Sequence, residues 1–588
     1  MKAFSLILLL SALITTQSSA KTTEKQSKLF LVGGGLKTCS SMASKNCISN
    51  TLAKNSPLST AKTTSLYKIN EKIIKLLKNS WPNHFNKRNF LQIVSLLEKI
   101  DKKTSEQIKT KAELKSLLRK YDRKRVISKL NDAEYFLLFD LLEQPVLAPN
   151  SQQRLKEHVD LSQSTHVFST EIYQRFVALA REISNKETPN IVVITASARD
   201  PFEAADFYQA VFQQAGGNTQ WLPLDATLNS AFQQQGDRKS ICKSLPSIRL
   251  KVQGSINREL VYPDLSEQQY QACLSPETII ENIANADGIF INGGDQSLTA
   301  KAFLNDDGTD SKTLALIKQK LANNTLIIGG TSAGTAVMSG GKYNNDAIVM
   351  ITNGQSNTAI VRGAKKDVLP QEGCQKTGSC DDAVLNDDLT YNSAGGLGLF
   401  HWGIMDTHFS ERGRQGRLAT LVLETNTRFA FGVDEATALI VSEVTSENPN
   451  FEVVGESGVF VVENNFSMQN KTLSTHYITR GDKARLDNQQ FRLQIADWKN
   501  MSIEKGTMPS DIEDIFSGSR YQLSAKVLCR TLNKSFSATT QWRKTKHSVQ
   551  VAKANDYKDG FGAISFGGVD KGYCSYQNYQ LSIIDIGK

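Results

Sequence analysis

The chain has 588 residues, 40% of them hydrophobic and 22% charged, and a formal net charge of +10. At about 150 residues per domain that length allows roughly three to four domains, ample for a buried core. After the first twenty residues no apolar run reaches the ~18 residues of a membrane-spanning helix, which excludes a helical anchor in a processed chain.

Residues 1–20, MKAFSLILLLSALITTQSSA, show a lysine, an apolar stretch and small residues ending in Ala20. This is the layout of a secretory signal peptide. The expectation is cleavage near Ala20 and a secreted protein, extracellular or periplasmic. Eight cysteines suit that compartment. Nearest-neighbour pairing selects Cys39–Cys47, Cys242–Cys273, Cys374–Cys380 and Cys529–Cys574 from the 105 connectivities that eight cysteines allow. With no C-x-x-C pair and no neighbouring histidine cluster, no metal or other cofactor is expected.

The run KLFLVGGG at 28–35 reads as a buried strand ending in a turn. A helical, basic segment follows over about 51–165. Residues 51–130 hold 20 Lys and Arg against 6 Asp and Glu, a charge of +14 that leaves −4 for the rest of the chain. Stretches such as INEKIIKLLKNSW space apolar residues by three and four with lysines between. They read as solvated helical faces, with a polyanion or surface patch as the alternative. No nucleic-acid module is recognisable, so no nucleic-acid partner is expected.

NIVVITASA at 190–198, GIFINGGD at 288–295, TLIIGGTSAG at 325–334 and FAFGVDEATALIV at 429–441 continue the strand series. Helical patterns such as 170–185 lie between them. Alternating strands and helices predict an α/β fold with a mostly parallel sheet, whose ligand site lies beyond the carboxyl ends of the strands. Residues 359–398 read as a polar loop insertion. Residues 466–588 alternate in short runs and read as a β-rich C-terminal appendage to a catalytic domain at 21–465.

Gly330-Thr331-Ser332-Ala333-Gly334 fits G-x-S-x-G, in which a tight strand-to-helix turn presents a serine nucleophile. A solvated serine in a glycine-rich turn is the alternative. A serine hydroxyl needs a base, and the base an orienting group. Of the histidines after Ser332, His408 has the most unusual context, DTHFSERGRQGRL, with Asp406, Glu411, Arg412, Arg414 and Arg417 close by. Glu435, at the end of an apolar strand, is the candidate third member. Gly293 and Gly294 let backbone N–H groups approach an oxyanion, with a further donor from Ala333.

Together GGTSAGTAVMS, NGGDQSL, DTHFSERGRQGRL and GVDEATAL resemble cyanophycinase, of the serine peptidase family that also contains dipeptidase E. The resemblance spans roughly residues 28–34, 166–358 and 396–465. It implies a class I glutamine-amidotransferase-like, flavodoxin-like sandwich and a catalytic triad of Ser332, His408 and Glu435. It also implies action on cyanophycin, a polyaspartate bearing arginine on each side chain, or on short Asp/Arg peptides. Gln296, Arg412, Arg414 and Arg417 become candidate substrate contacts, and Asp406 a candidate for the substrate guanidinium. Thr407 departs from the amide residue expected between Asp406 and His408. The order Ser, His, acid counts against an α/β-hydrolase, which runs Ser, acid, His. A dipeptidase-E-like peptidase and a non-catalytic secreted polymer-binding protein are the other readings, and a homodimer is compatible with any of them.

Overall fold

The computed structural model describes residues 26–48, 60–103, 108–368, 383–465, 472–502 and 506–587. The signal-like segment and the expected Cys374–Cys380 pair lie outside the described residues. The other three expected pairs are disulfide-bonded.

Five parallel strands form one side of a nine-stranded sheet, from its edge inward: Asn218–Leu222, Asn190–Ile194, Gly288–Ile291, Ile327–Thr331 and Lys28–Val32. The inner four lack a polar face because helices cover both sides, the usual condition of a parallel sheet, whereas the edge strand exposes Asn218 and Gln220. In the strand Lys28–Val32, Phe30 and Val32 pack with Phe176 and Ile172 of helix Val167–Ser184. Leu29 and Leu31 point into the opposite core with Leu314 and Ile317 of helix Lys312–Ala322. Side-chain alternation along a strand thus divides one apolar run between two cores. Fully burying each of these large side chains contributes roughly 1.5–3 kcal/mol.

Beyond Lys28–Val32 the sheet turns antiparallel through Thr437–Ser442, Asn450–Gly455, Lys483–Asp487 and Gln490–Gln494. A second sheet of seven strands runs Ile404–Thr407, Phe429–Val433, Gly458–Glu463, Leu473–Thr479, Val569–Asp585, Thr545–Phe566 and Ser535–Trp542. The single run expected at 429–441 is therefore two strands in different sheets, and Asp434, Glu435 and Ala436 form the turn between them.

The C-terminal residues are β-rich but not an appendage. Two of their strands extend the first sheet and four complete the second. Its longest hairpin closes through Gly567-Gly568, both at positive φ, as a two-residue type I′ turn requires. The expected loop at 359–398 also contains strands: Ala364–Lys366 and Leu389–Asn392 join Met350–Asn353 in a small sheet.

The basic segment leaves the carboxyl end of the first strand and folds around a core of its own, including Ile74, Leu77, Leu97 and Leu138. Its helices Glu71–Ser80, Lys87–Asp101, Lys111–Tyr121 and Asp132–Leu142 start at polar caps. Capping boxes form between Thr110 and Glu113 and between Asn131 and Glu134. Buried ion pairs dock it on the first sheet. Arg258 donates to Glu143 and Asp200 at 2.8 Å each, and Arg199 to Asp140 at 2.8 Å.

Candidate active site

The strand Ile327–Thr331 is buried throughout and ends at Ser332, whose φ of 54° and ψ of −116° turn the chain into the short helix Ala333–Ala336. A non-glycine residue so placed stores of order 1–3 kcal/mol of strain and needs firm support. The Ser332 N–H donates to the Val32 carbonyl at 3.0 Å, and the Thr335 hydroxyl lies 2.8 Å from the carbonyls of both Val32 and Gly330. The flanking glycines are sterically required. A Cβ on Gly330 would lie 2.2 Å from the Gly334 carbonyl oxygen, and one on Gly334 would lie 2.5 Å from that of Ile291.

His408 Nε2 is 2.9 Å from Ser332 Oγ, and His408 Nδ1 is 2.6 Å from Glu435 Oε1. A neutral imidazole satisfies both contacts by donating from Nδ1 to the carboxylate and accepting at Nε2 from the hydroxyl. Burial pushes the His408 pKa down; Glu435 pulls it up, and Arg412 and Arg414 push it down further. The net shift favours the neutral ring, the form able to take a proton.

The first strand supplies the mould. The His408 N–H donates to the Gly33 carbonyl and the Ala436 N–H to that of Gly34, each at 2.8 Å. A Cβ on Gly34 would stand 2.4 Å from the His408 ring, and one on Gly35 2.5 Å from Glu435 Oε2. In the sequence, Gly33, Gly34 and Gly35 read only as a strand-ending turn. Three consecutive glycines after a buried strand were the available signal for close packing. Glu411 was also missed as a site component. Its carboxylate accepts the Glu435 N–H at 3.0 Å, and burial, followed by the Asp434 charge, raises it to about 8.

The turn at Gly293-Gly294 lies against the serine, a Cβ on Gly293 falling 3.1 Å from Ser332 Cβ. Gly294, at φ +149°, has no room for a side chain beside the Ser197 carbonyl. Ala333 follows the serine and is buried. The half-buried Tyr208 hydroxyl is hydrogen-bonded by the Gly293 backbone and raised to about 12 by burial. Its position was not legible in the sequence. The Gln296 amide donates to the carbonyls of Ile351 at 2.8 Å and Thr352 at 2.9 Å, which hold the side chain in place.

The arginine block divides. Asp406 is 1% exposed and accepts from Arg417 Nε at 2.8 Å, Arg417 Nη2, Arg414 Nη1 at 3.2 Å and the Thr407 N–H at 2.7 Å. Arg417, also buried, donates in addition to the Gly354 carbonyl. Asp406 and Arg417, expected to hold substrate groups, therefore hold each other, because a buried charge needs a partner. Arg414 keeps a partly exposed guanidinium, lowered to about 9 by burial and then by Arg417, and still protonated at neutral pH. Arg412 is exposed and forms no ion pair among the described residues. Among those residues no group of three or more His, Cys, Asp or Glu is placed to hold a metal ion, and no helix is long and apolar enough to cross a membrane.

No family model matches the chain. It is 16% identical to a peptidase from an acI-B1 Actinobacterium of known crystal structure, with a TM-score of 0.29 over 53% of this chain and 89% of that one. It is 25% identical over 273 residues to a cyanophycinase of Geminocystis herdmanii, covering 46% of this chain and 80% of the relative. Over 277 residues, 47% of this chain and 74% of the relative, it is 23% identical to the cyanophycinase of Nostoc sp. strain PCC 7120. Over about half its length, then, this chain is similar to cyanophycinases.

Proposed function

We propose that the chain is a secreted serine exopeptidase that hydrolyses cyanophycin to β-Asp-Arg dipeptides through Ser332, His408 and Glu435. The observation that carries the catalytic part is the continuous hydrogen-bonded chain from Ser332 Oγ through His408 to Glu435, at 2.9 and 2.6 Å. The substrate part rests on the similarity to cyanophycinases, and secretion on the signal-like first twenty residues.

In this reading Ser332 Oγ attacks a backbone carbonyl while its proton passes to His408 Nε2. Glu435 accepts the Nδ1–H and stabilises the imidazolium. The carbonyl electrons move onto oxygen, where backbone N–H groups of Gly293, Gly294 and Ala333 are the candidate donors. Collapse breaks the C–N bond, and the departing amine takes the proton from His408. Water then attacks the acyl-serine ester, with His408 as base again, and restores the hydroxyl. Arg412 and Arg414 are the cations available to a substrate carboxylate, and Gln296 a fixed amide beside the turn.

A second reading, a dipeptidase-E-like enzyme for acidic aspartyl peptides, draws support from Asp406. With its oxygens taken by Arg414 and Arg417, it offers no free carboxylate to a substrate guanidinium. Incubation of the protein with cyanophycin and with aspartyl dipeptides, with products identified by mass spectrometry, tests the two. Release of β-Asp-Arg is expected. Cleavage of aspartyl dipeptides alone would overturn the cyanophycin assignment, and loss of neither activity in Ser332→Ala would overturn the nucleophile.

A further inference from the structure

The carboxylate of Asp434, next to Glu435 in the chain, is completely buried and joins four other segments. Its Oδ1 accepts the Ser410 N–H at 2.9 Å, from the loop that carries His408. Its Oδ2 accepts from the Ser457 hydroxyl at 2.9 Å, from the Tyr477 hydroxyl, and from Gln522 Nε2 at 2.8 Å. Tyr477 and Gln522 belong to the C-terminal residues, beyond 465. Gln522 lies on helix Arg520–Arg530 and also reaches the Ser457 and Tyr477 hydroxyls, at 2.7 and 2.6 Å.

The same segment presses on the histidine loop directly. A Cβ on Gly413 would lie 1.9 Å from the Phe516 carbonyl oxygen, and one on Gly416 3.0 Å from the Phe516 ring. Phe409, adjacent to His408, stacks on Phe460 at 5.3 Å, and Phe460 meets Tyr521 edge-on at 5.6 Å. Both members of the His408–Glu435 pair thus rest on groups that the C-terminal helix holds.

We infer that helix Arg520–Arg530 is part of the catalytic architecture, and that Gln522 is a positioning residue acting through Asp434 on His408 and Glu435. The inference rests on the Ser332 reading above. Replacing the Gln522 amide with an apolar group removes one donor from a fully buried carboxylate, which then draws harder on Ser410 and Tyr477. A shift of that turn lengthens the 2.6 Å contact from Glu435 to His408 without touching the substrate side of Ser332. The charged and titratable groups around the Gln522 end are Asp434, Tyr477, Glu411 and Lys526.

The test uses the full chain and the rate of covalent labelling by a fluorophosphonate probe, alongside kcat and KM on the cleaved peptide. Gln522→Leu is expected to label and turn over about tenfold more slowly at unchanged KM, since small misplacements of reacting groups cost up to ~10²-fold. Gln522→Glu keeps the shape and can donate only when it shares a proton with Asp434. Its rate relative to wild type should fall as pH rises from 6 to 8.5, while the Gln522→Leu ratio stays flat. Wild-type labelling of Gln522→Leu would overturn the inference and leave Ser332 standing. Equal labelling of wild type and Ser332→Ala would overturn both. Loss of near-ultraviolet circular dichroism together with activity in both Gln522 variants would assign the helix a structural role only, and so overturn the positioning role.

Discussion

Gly34→Ala tests the packing of the first strand against the histidine without changing any group that reacts. Gly34 has φ +100°, and an ideal Cβ there sits 2.4 Å from both Cε1 and Nε2 of His408. Ordinary van der Waals contact begins near 3.4 Å, so the ring must retreat by about 1 Å. A retreat of that size takes the 2.9 Å contact between Nε2 and Ser332 Oγ well beyond hydrogen-bonding range. The substitution should cost about 10²-fold in kcat, the scale of a 1 Å misplacement. The strained φ adds a stability loss of about 1–3 kcal/mol, small enough for the fold to survive. The assay is kcat and KM on the cleaved peptide together with thermal unfolding, with Ser332→Ala as the baseline. A folded Gly34→Ala protein with unchanged kcat would refute both the packing argument and the role of His408 as base.

Glu435→Gln and Ser332→Ala should each cause a large loss, and the double variant should lose little more than Ser332→Ala alone, because members of one catalytic unit are not additive; full additivity measured in kcat/KM would contradict the triad. Because His408 is pushed below its ordinary value, kcat/KM should fall on the acid side with a midpoint below about 6.5; a midpoint above 7 would contradict a buried, neutral base. The folded-state pKa of Glu411 is raised to about 8, so its proton stabilises the fold fully below its unfolded value of about 4.3 and that contribution fades as pH climbs toward 8. Glu411→Gln, which keeps an acceptor for the Glu435 N–H, should therefore gain melting temperature relative to wild type between pH 5 and pH 9, and a difference that does not vary with pH would refute the assignment. Asp406→Asn leaves Arg417 buried without its charge partner and should cost about 3–5 kcal/mol in denaturant unfolding, whereas Arg412→Ala should raise KM with no loss of stability.

The positions of Ser332, His408 and Glu435 were legible because each breaks a local rule. Ser332 stands where glycines crowd a strand end, His408 in a short run dense in charge, and Glu435 with Asp434 between an apolar strand and small residues. The partners of the ionic side chains were not legible. DTHFSERGRQGRL contains three cations and two carboxylates, and nothing in their spacing shows that Asp406 lies between Arg414 and Arg417. That pairing comes from burial. The side chains of Asp406 and Arg417 are 1% and 5% exposed, and in such a setting internal pairing outweighs waiting for a substrate. The C-terminal strands were recognisable as strands by their alternation, yet alternation specifies a face to be covered and not which sheet covers it. Hence residues 483–494 could be read as β-structure but not as the edge of the first sheet.

Connectivity explains why the basic segment also bears on this end of the molecule. It is inserted after the first strand, directly beyond the Gly33–Gly35 turn, so it must emerge at the carboxyl edge of the sheet, the edge that carries Ser332. Its Asp140 and Glu143 then meet Arg199 and Arg258. Arg199 follows the strand Asn190–Ile194 and stands two residues past Ser197, whose carbonyl accepts the Asp295 N–H at 2.7 Å. Ser197 also crowds Gly294, leaving no space for a Cβ. A chain of direct contacts therefore leads from the inserted helices to the Gly293-Gly294 turn. A second chain leads from the C-terminal helix to Asp434 and Glu435. The inserted helices and the C-terminal helix thus reach the surroundings of Ser332 by separate routes, and those surroundings are set by all three parts of the chain.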